Sequence, residues 1–224
     1  MPDFFAPCPR GLENILLIDL QTMGAQNARG TEGGVHFTGD WALCYRANLE
    51  SRIASRILWR VKETTYRTEQ DIYKTAFDLQ WQRWFDVTHT IRVNTTAIRC
   101  SLKSLEFITL LVKDAVCDRF RAHCNERPSV DTLTPDVRIH VFIENAKLML
   151  YLDTSGDALF KRGVRSHTNI APRTANQTLF SFVRRRTTPS VMAKSAYRAP
   201  MLMSIMRRRG VMGTDEVGDV ANER

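Results

Sequence analysis

Val137-Arg138-Ile139-His140-Val141-Phe142-Ile143-Glu144-Asn145-Ala146-Lys147-Leu148-Met149-Leu150-Tyr151-Leu152-Asp153 decides the reading of the fold. Val137, Ile139, Val141 and Ile143 alternate with Arg138, His140 and Phe142. After the polar turn Glu144-Asn145-Ala146 the alternation resumes with Leu148, Leu150 and Leu152. A period of two on either side of a short polar turn predicts a β-hairpin with one apolar face. Upstream, Leu105, Ile108, Val112, Ala115, Val116 and Phe120 recur at helical spacing, which predicts a helix from about residue 104 to 123 with one buried face. A helix of that length covers the hairpin and makes an α/β layer pair. The chain leaves this pair through Asp153-Thr154-Ser155-Gly156-Asp157, where Gly156 suits a turn with positive φ. The basic segment Lys161-Arg162-Gly163-Val164-Arg165 follows, and this exit is the expected working surface.

Working outward toward the N-terminus, Thr90 to Thr96 has β chemistry, with Ile91 and Val93 on one face. Ile72, Tyr73, Ala76 and Leu79 are helically spaced, and Trp81, Trp84 and Phe85 form an aromatic piece that reads as core. Thr64 to Arg67 reads as a connector. Ser55, Ile57, Trp59 and Val61 alternate with Arg56, Leu58 and Arg60, which predicts a strand. Asp40 is placed to cap a helix carrying Leu43, Ala47 and Leu49. Gly33-Gly34 leads into a short strand, Val35-His36-Phe37. Leu12, Ile15, Leu16, Leu20 and Met23 predict a helix stopped by Gly24. With the apolar start Phe4-Phe5-Ala6-Pro7-Cys8, the first sixty residues read β-α-β-α-β. A second α/β layer pair follows, from Tyr45 to Asp153.

The 224 residues carry a formal charge of +8, from 32 Lys+Arg against 24 Asp+Glu. From Val164 onward there are eleven basic and four acidic residues, a net of +7, which leaves +1 for everything before it. Basicity therefore speaks for the C-terminal stretch, and a nucleic-acid argument for the body rests on local patches. No run of about 18 apolar residues exists, and Met1-Pro2-Asp3 lacks the features of a signal peptide, so a cytoplasmic protein without a membrane segment is expected. Cys8, Cys44, Cys100, Cys117 and Cys124 are scattered and odd in number; they read as buried reduced thiols. His123, Cys124, Cys117 and His140 lack metal-site spacing. After Pro172 the apolar residues hold neither period, Arg184-Arg185-Arg186 and Arg207-Arg208-Arg209 appear, and five of the eight methionines fall there. That tail is predicted to be disordered.

Candidate RNA contacts follow from the basic residues. Lys161, Arg162 and Arg165 stand in the exit loop, where guanidinium groups can pair with phosphate oxygens. Arg52, Arg56 and Arg60 recur every fourth residue and form a basic stripe in a helix or a strand alike, with ion pairing to Glu50 or Glu63 as the competing role. Lys113 and Arg119, with Arg121, lie on or near the exposed side of the long helix.

Arg10-Gly11-Leu12-Glu13, Gly33-Gly34-Val35-His36-Phe37-Thr38-Gly39-Asp40 and Ser51-Arg52-Ile53-Ala54-Ser55-Arg56-Ile57-Leu58 resemble the N-terminal part of bacterial THUMP-domain methyltransferases that modify guanine N2 of large-subunit ribosomal RNA. Lys113-Asp114-Ala115-Val116-Cys117-Asp118, Arg127-Pro128-Ser129-Val130-Asp131, Pro135-Asp136-Val137-Arg138 and Asp153-Thr154-Ser155-Gly156-Asp157 with Arg162-Gly163 continue the resemblance in the same order. It implies an α/β (α+β) chain with a ferredoxin-like N-terminal segment over 1–43 and a THUMP RNA-binding domain over 44–154. A basic linker over 155–172 and the unpatterned tail over 173–224 complete it. The implied partner is structured RNA, in particular large-subunit ribosomal RNA, and the family's cofactor is S-adenosylmethionine.

The resemblance stops at Ile170-Ala171-Pro172. No acidic strand end followed by Gly-x-Gly and no Pro-Pro dipeptide occurs, so the chain is expected to carry no cofactor and no catalytic residue and to be inactive alone. The tail is then expected to be the product of a lost reading frame. Two alternatives stand beside this reading. A small hydrolase finds no Ser/His/Asp or Cys/His constellation in support, and a binder of anionic surfaces or nucleic acid would act through Arg184 to Arg209.

Overall fold

The computed structural model describes residues 1–100, 102 and 104–161. In chain order they form β1 (Asp3–Pro7), α1 (Glu13–Thr22), β2 (Gln26–Thr31), β3 (Gly34–Thr38), α2 (Trp41–Glu50), β4 (Leu58–Thr65), α3 (Glu69–Asp78), β5 (Ile91–Ile98), α4 (Leu105–Cys124), β6 (Val137–Glu144) and β7 (Lys147–Asp153), with 3-10 turns at Trp81–Arg83 and Leu159–Lys161. The strands make one seven-stranded sheet in the order β2-β3-β1-β4-β7-β6-β5. Every neighbouring pair is antiparallel except β5 with β6.

The hairpin forms as its alternation predicts. Ile143 faces Leu148 and Glu144 faces Lys147, and Asn145 takes φ 51 in the turn, a left-handed conformation that Asn tolerates. Helix α4 starts at Ser104, whose hydroxyl accepts the Phe107 N–H, and ends on Asn125 at φ 58. Its buried face is the predicted one, except that Leu105, in the first turn, is exposed. Asp40 caps α2 by accepting the Leu43 N–H at 2.7 Å. Thr68 and Asp71 form a capping box at the start of α3.

Several expectations are corrected. The predicted strand from Ser55 to Val61 begins only at Leu58, and it continues through Thr65, where a connector was expected. Residues 51–57 cannot join the ladder because their backbone serves loops instead. The Ser55 N–H donates to Pro7 O and the Ser55 carbonyl accepts from Leu159 N, while the Ile57 carbonyl accepts from Thr154 N. Strand β2 was not foreseen, since all its side chains except the half-buried Ala28 are exposed and leave no period to read. The first sixty residues are therefore β-α-β-β-α-β. Cys124, expected to be buried, is exposed in the last turn of α4, and Cys100 is half-buried; Cys8, Cys44 and Cys117 are buried, and all five thiols are free.

The two expected layer pairs share one core. Phe4, Phe37, Trp41 and Trp59 from the N-terminal half join Trp81, Phe85, Ile108, Phe120, Ile139 and Leu150 in a single apolar cluster on the helical face of the sheet. Trp81 and Phe85 are fully buried, as expected of core, and the half-buried Trp84 stands edge-on to Trp59 and Trp81. Among the described residues, no helix is long and apolar enough to cross a membrane. No His/Cys/Asp/Glu group that could hold a metal ion occurs among them either.

Candidate nucleic-acid interface

The exit turn after β7 is bound to the N-terminal half of the chain by buried polar groups. Asn48 on α2 reaches it with both ends of its amide. Its Nδ2 donates to Thr154 Oγ1 at 3.0 Å, and its Oδ1 accepts from Ser155 Oγ at 2.7 Å. Ser155 Oγ in turn accepts the Ile57 N–H at 2.8 Å, and Thr154 Oγ1 donates to the Ile57 carbonyl at 2.8 Å. Thr154 and Ser155 are both buried, so these bonds replace water that the turn cannot reach. Gly156 takes φ 70, as its position in the turn predicts.

Two guanidinium groups converge on the same turn. Arg56 donates to the Asp153 carboxylate and, at 2.8 Å, to the Gly156 carbonyl. Arg138, from the polar face of β6, donates to that carbonyl as well. Asp153 is buried and also accepts the Ser155 N–H at 2.8 Å, and His140 Nε2 stands 3.8 Å from it. The Leu159 N–H then donates to Ser55 O, which carries Lys161 to the loop that holds Arg52 and Arg56.

Of the predicted site residues, Arg52, Arg56 and Lys161 thus come to one end of the sheet. Arg52 and Lys161 are exposed there, and Arg52 lies close enough to act on Asp19, whose carboxyl is raised first by burial. The charge of Arg56 is directed inward, to Asp153. Arg60, at the end of the predicted stripe, pairs with Asp3 at 3.0 Å and with Glu63 at 2.6 Å, one of the acidic partners foreseen for the stripe. Lys113 and Arg119 stand apart on α4. Lys113 pairs with Asp114 at 2.8 Å. Arg119 is half-buried with its guanidinium 5.8 Å from the centre of the Phe77 ring, in the seam between α3 and α4. Arg162, Arg165 and the tail from residue 173 lie outside the described residues.

Asn48 and Arg138 were not singled out in the sequence. Arg138 left a signal, an Arg at an outward position of a regular strand beside the exit turn; Asn48 left none, since an Asn in a helix next to Ala47 reads as a surface residue. Nucleophilic chemistry finds no support at this turn. Burial pushes the Cys44 thiol, which faces Thr154, up to about 12, and the Cys8 thiol is raised to about 11 by burial and then by Glu13.

Comparison with known proteins agrees with this architecture. Residues 3–58 match the RlmL ferredoxin-like domain, and residues 66–153 match the THUMP domain. The ribosomal RNA large subunit methyltransferase K/L of Aeromonas hydrophila is 40% identical over 176 residues, which cover 79% of this chain and 24% of that protein. The protein of the same description from Aeromonas salmonicida matches to the same extent. The chain therefore spans about a quarter of the length of these relatives. A crystal structure described as a predicted N6-adenine-specific DNA methylase from Listeria monocytogenes shares the fold, with a TM-score of 0.68 at 22% identity over 89% of this chain and 55% of that one. The chain is a homologue of the N-terminal part of the ribosomal RNA large subunit methyltransferases K/L, an RlmL ferredoxin-like domain followed by a THUMP domain.

Proposed function

We propose that the chain is the RNA-binding part of a ribosomal RNA guanine-N2 methyltransferase and that it grips structured large-subunit RNA at the end of the sheet where Arg52 and Lys161 stand exposed. The observation that carries this reading is the THUMP match over 66–153 ending at a basic exit turn. Phosphates are contacted by Arg52, Lys161, Arg162 and Arg165, whereas Arg56 contributes by holding the turn against Asp153. Lys113 and Arg119, committed to Asp114 and Phe77, contribute least.

Methyl transfer would draw on S-adenosylmethionine, and the described residues do not fit it. The one parallel strand pair is β5 with β6, and β5 runs into Ile98-Arg99-Cys100, with no glycine to let a backbone approach the cofactor. Chemistry would then belong to a separate catalytic domain, and the working compartment is the cytoplasm, where ribosomal RNA is modified.

The test is binding of a labelled large-subunit RNA fragment over a range of salt. Affinity should fall steeply as salt rises, because each neutralised phosphate releases condensed counterion. Lys161→Ala with Arg162→Ala and Arg165→Ala should weaken binding and flatten that dependence by about one counterion per lost contact. Salt-independent binding, or full binding by the triple variant, sinks the reading. If removing residues 173–224 alone abolishes binding, the Arg-rich tail is the binder instead.

A further inference from the structure

Arg92 on β5 and Arg138 on β6 are direct neighbours in the register of the one parallel strand pair. Each alternates with core residues, Ile91 and Val93 on β5 and Val137 and Ile139 on β6, so both side chains stand on the sheet face turned away from the helices. Adjacent strands lie about 4.8 Å apart, and like charges side by side at that spacing repel. Each guanidinium is held in place, but by a neutral group: Arg92 donates to the Thr132 carbonyl and Arg138 to the Gly156 carbonyl. Among the described residues neither pairs with a carboxylate, in contrast to Arg10, Arg46, Arg56, Arg60 and Arg121, each of which does. Asp131, Asp136 and Asp153 stand at the same end of the sheet and are engaged elsewhere. Asp131 accepts the Leu133 N–H at 2.7 Å and the Thr134 N–H at 3.2 Å, and these bonds lower its carboxyl without a contribution from any arginine. Asp136 accepts from the N–H and the hydroxyl of Thr90, both at 2.9 Å, and Asp153 accepts from Arg56 and from the Ser155 N–H. The next outward row, Asn94 beside His140, carries no acid either, and the first carboxylate along the two strands is Glu144 at the far end of β6.

We infer that Arg92 and Arg138 bind backbone phosphates of the RNA, as a second contact that extends the exit-turn surface across the outer side of β6 to the edge strand β5. The inference rests on the RNA-binding reading given above and adds two residues that it does not assign. A guanidinium carries five N–H donors, so a bond to one carbonyl orients the group and leaves donors over for an anion. The carbonyls fix the two side chains without neutralising them, which lowers the ordering cost of binding. The repulsion between two such fixed cations costs stability in the free protein, and an anion between or beside them relieves it. The site is also continuous with the exit turn, since the Gly156 carbonyl that Arg138 holds is the one Arg56 holds at 2.8 Å. Phosphates of a polymer are favoured over a free phosphate ion, because two point contacts on a sheet face bind weakly alone and gain from the exit-turn contacts of the same strand.

The test is Arg92→Gln with Arg138→Gln in the full chain, bound to the labelled large-subunit RNA fragment over a range of salt. Glutamine keeps an N–H donor for each carbonyl and removes the charge. Affinity should fall about tenfold or more, and the salt dependence should flatten by about one counterion per arginine. Buried Cys44 staying closed to thiol reagents reports an intact fold. Arg92→Gln alone should show half of the change in slope, and it leaves the exit turn untouched because its carbonyl partner is Thr132. Arg92→Lys with Arg138→Lys should restore the slope, which a purely structural role would not predict. Inorganic phosphate should compete with the RNA no better than chloride at equal ionic strength, whereas stronger competition would make the ligand a free phosphate ion and overturn the inference. Parent affinity and slope in the Gln variants, with the Lys161, Arg162 and Arg165 variant weakened, overturn this inference and leave the exit-turn reading standing. Weaker binding at an unchanged slope overturns it too, since the arginines would then shape the surface without touching phosphate. A parent chain that binds no RNA overturns both.

Discussion

Asn48→Ala tests whether the exit turn is held by the buried amide. The substitution removes the bonds to Thr154 Oγ1 at 3.0 Å and to Ser155 Oγ at 2.7 Å, and a third from Nδ2 to the Cys44 carbonyl at 3.0 Å. Each such bond contributes about 1 kcal/mol net, and a buried partner left unpaired costs about 1–3 kcal/mol. Water cannot fully replace the amide, because Thr154, Ser155 and Cys44 are all buried. The loss should come to roughly 2–4 kcal/mol, with the three bonds sharing one desolvation cost rather than adding in full. At this chain size each kcal/mol moves the melting temperature by about 2–4 °C, so a fall of roughly 5–15 °C is expected by circular dichroism. Thr22→Ala, which removes an exposed bond to the Ile18 carbonyl, is the control and should stay within about 0.5 kcal/mol. The decisive measurement is the double-mutant cycle with Ser155→Ala. Asn48 and Ser155 should couple by about 0.5 kcal/mol or more. Additive losses, or a melting temperature no lower than that of Thr22→Ala, would refute the assignment of Asn48 as the clamp.

Gly34→Ala should destabilise by about 1–3 kcal/mol, an overpacking cost, because a Cβ there would lie 2.6 Å from the Ala6 carbonyl oxygen and 2.5 Å from Phe5 Cζ. Gly30→Ala, whose nearest neighbour would be 4.0 Å away, should not, and equal melting temperatures for the two would refute the close approach of β3 to β1. Backbone hydrogen bonds hold the carboxyls of Glu13, Asp71 and Asp131 below the usual range. Their stabilisation is present above the unfolded pKa and lost as pH falls through the folded one, so denaturant midpoints should drop on acidification. Glu13→Gln with Asp71→Asn and Asp131→Asn should flatten that acid limb. Asp19, raised by burial, acts with the opposite sign, since ionising it as pH rises costs the folded state. Arg119→Met should lower stability by about 0.5–1 kcal/mol through loss of the ring contact with Phe77. It should leave RNA affinity unchanged, and a loss equal to that of Lys161→Ala would show α4 to be part of the RNA surface.

The parts of this fold that show in the sequence are those where burial is one-sided. Strand β6 is buried at every second residue, so its period survives in the amino acids, and the same holds for the inner face of α4. Strand β2 is the opposite case. It is an edge strand whose side chains are nearly all exposed, held by ladder bonds to β3 that no side chain encodes. The stripe Arg52, Arg56, Arg60 was legible as charge but not as geometry, because a four-residue spacing cannot tell a helix from a strand, and here residues 51–57 are neither. What each arginine does depends on acidic partners far away in the chain, Asp153 for Arg56 and Asp3 for Arg60. Such pairings come from topology, and the sheet order that produces them, β1-β4-β7, joins β1 to β4 across about fifty residues and β4 to β7 across about eighty.

Strand β4 joins the two matched domains into one sheet. It occupies the interval between the matched stretches, 3–58 and 66–153, and it is bonded on both sides. On one edge it pairs with β1 through Asp3↔Arg60, Phe4↔Trp59 and Phe5↔Leu58. On the other it pairs with β7 from Leu58↔Asp153 to Thr65↔Lys147. Separating the domains along either edge would leave a row of unpaired N–H and C=O groups and split the shared core beside Trp59. The polar bonds at the exit turn reinforce the seam where the ladder ends, since Arg56, Ser55 and Ile57 precede β4 and Asp153 to Leu159 follow β7. Arg52, before this seam, and Lys161, after it, are thus carried by backbone that is bonded together rather than by two domains joined through a linker. The phosphate-binding surface proposed across that seam would meet RNA with its geometry already formed, so the ordering cost of the two loops would fall on folding and not on binding.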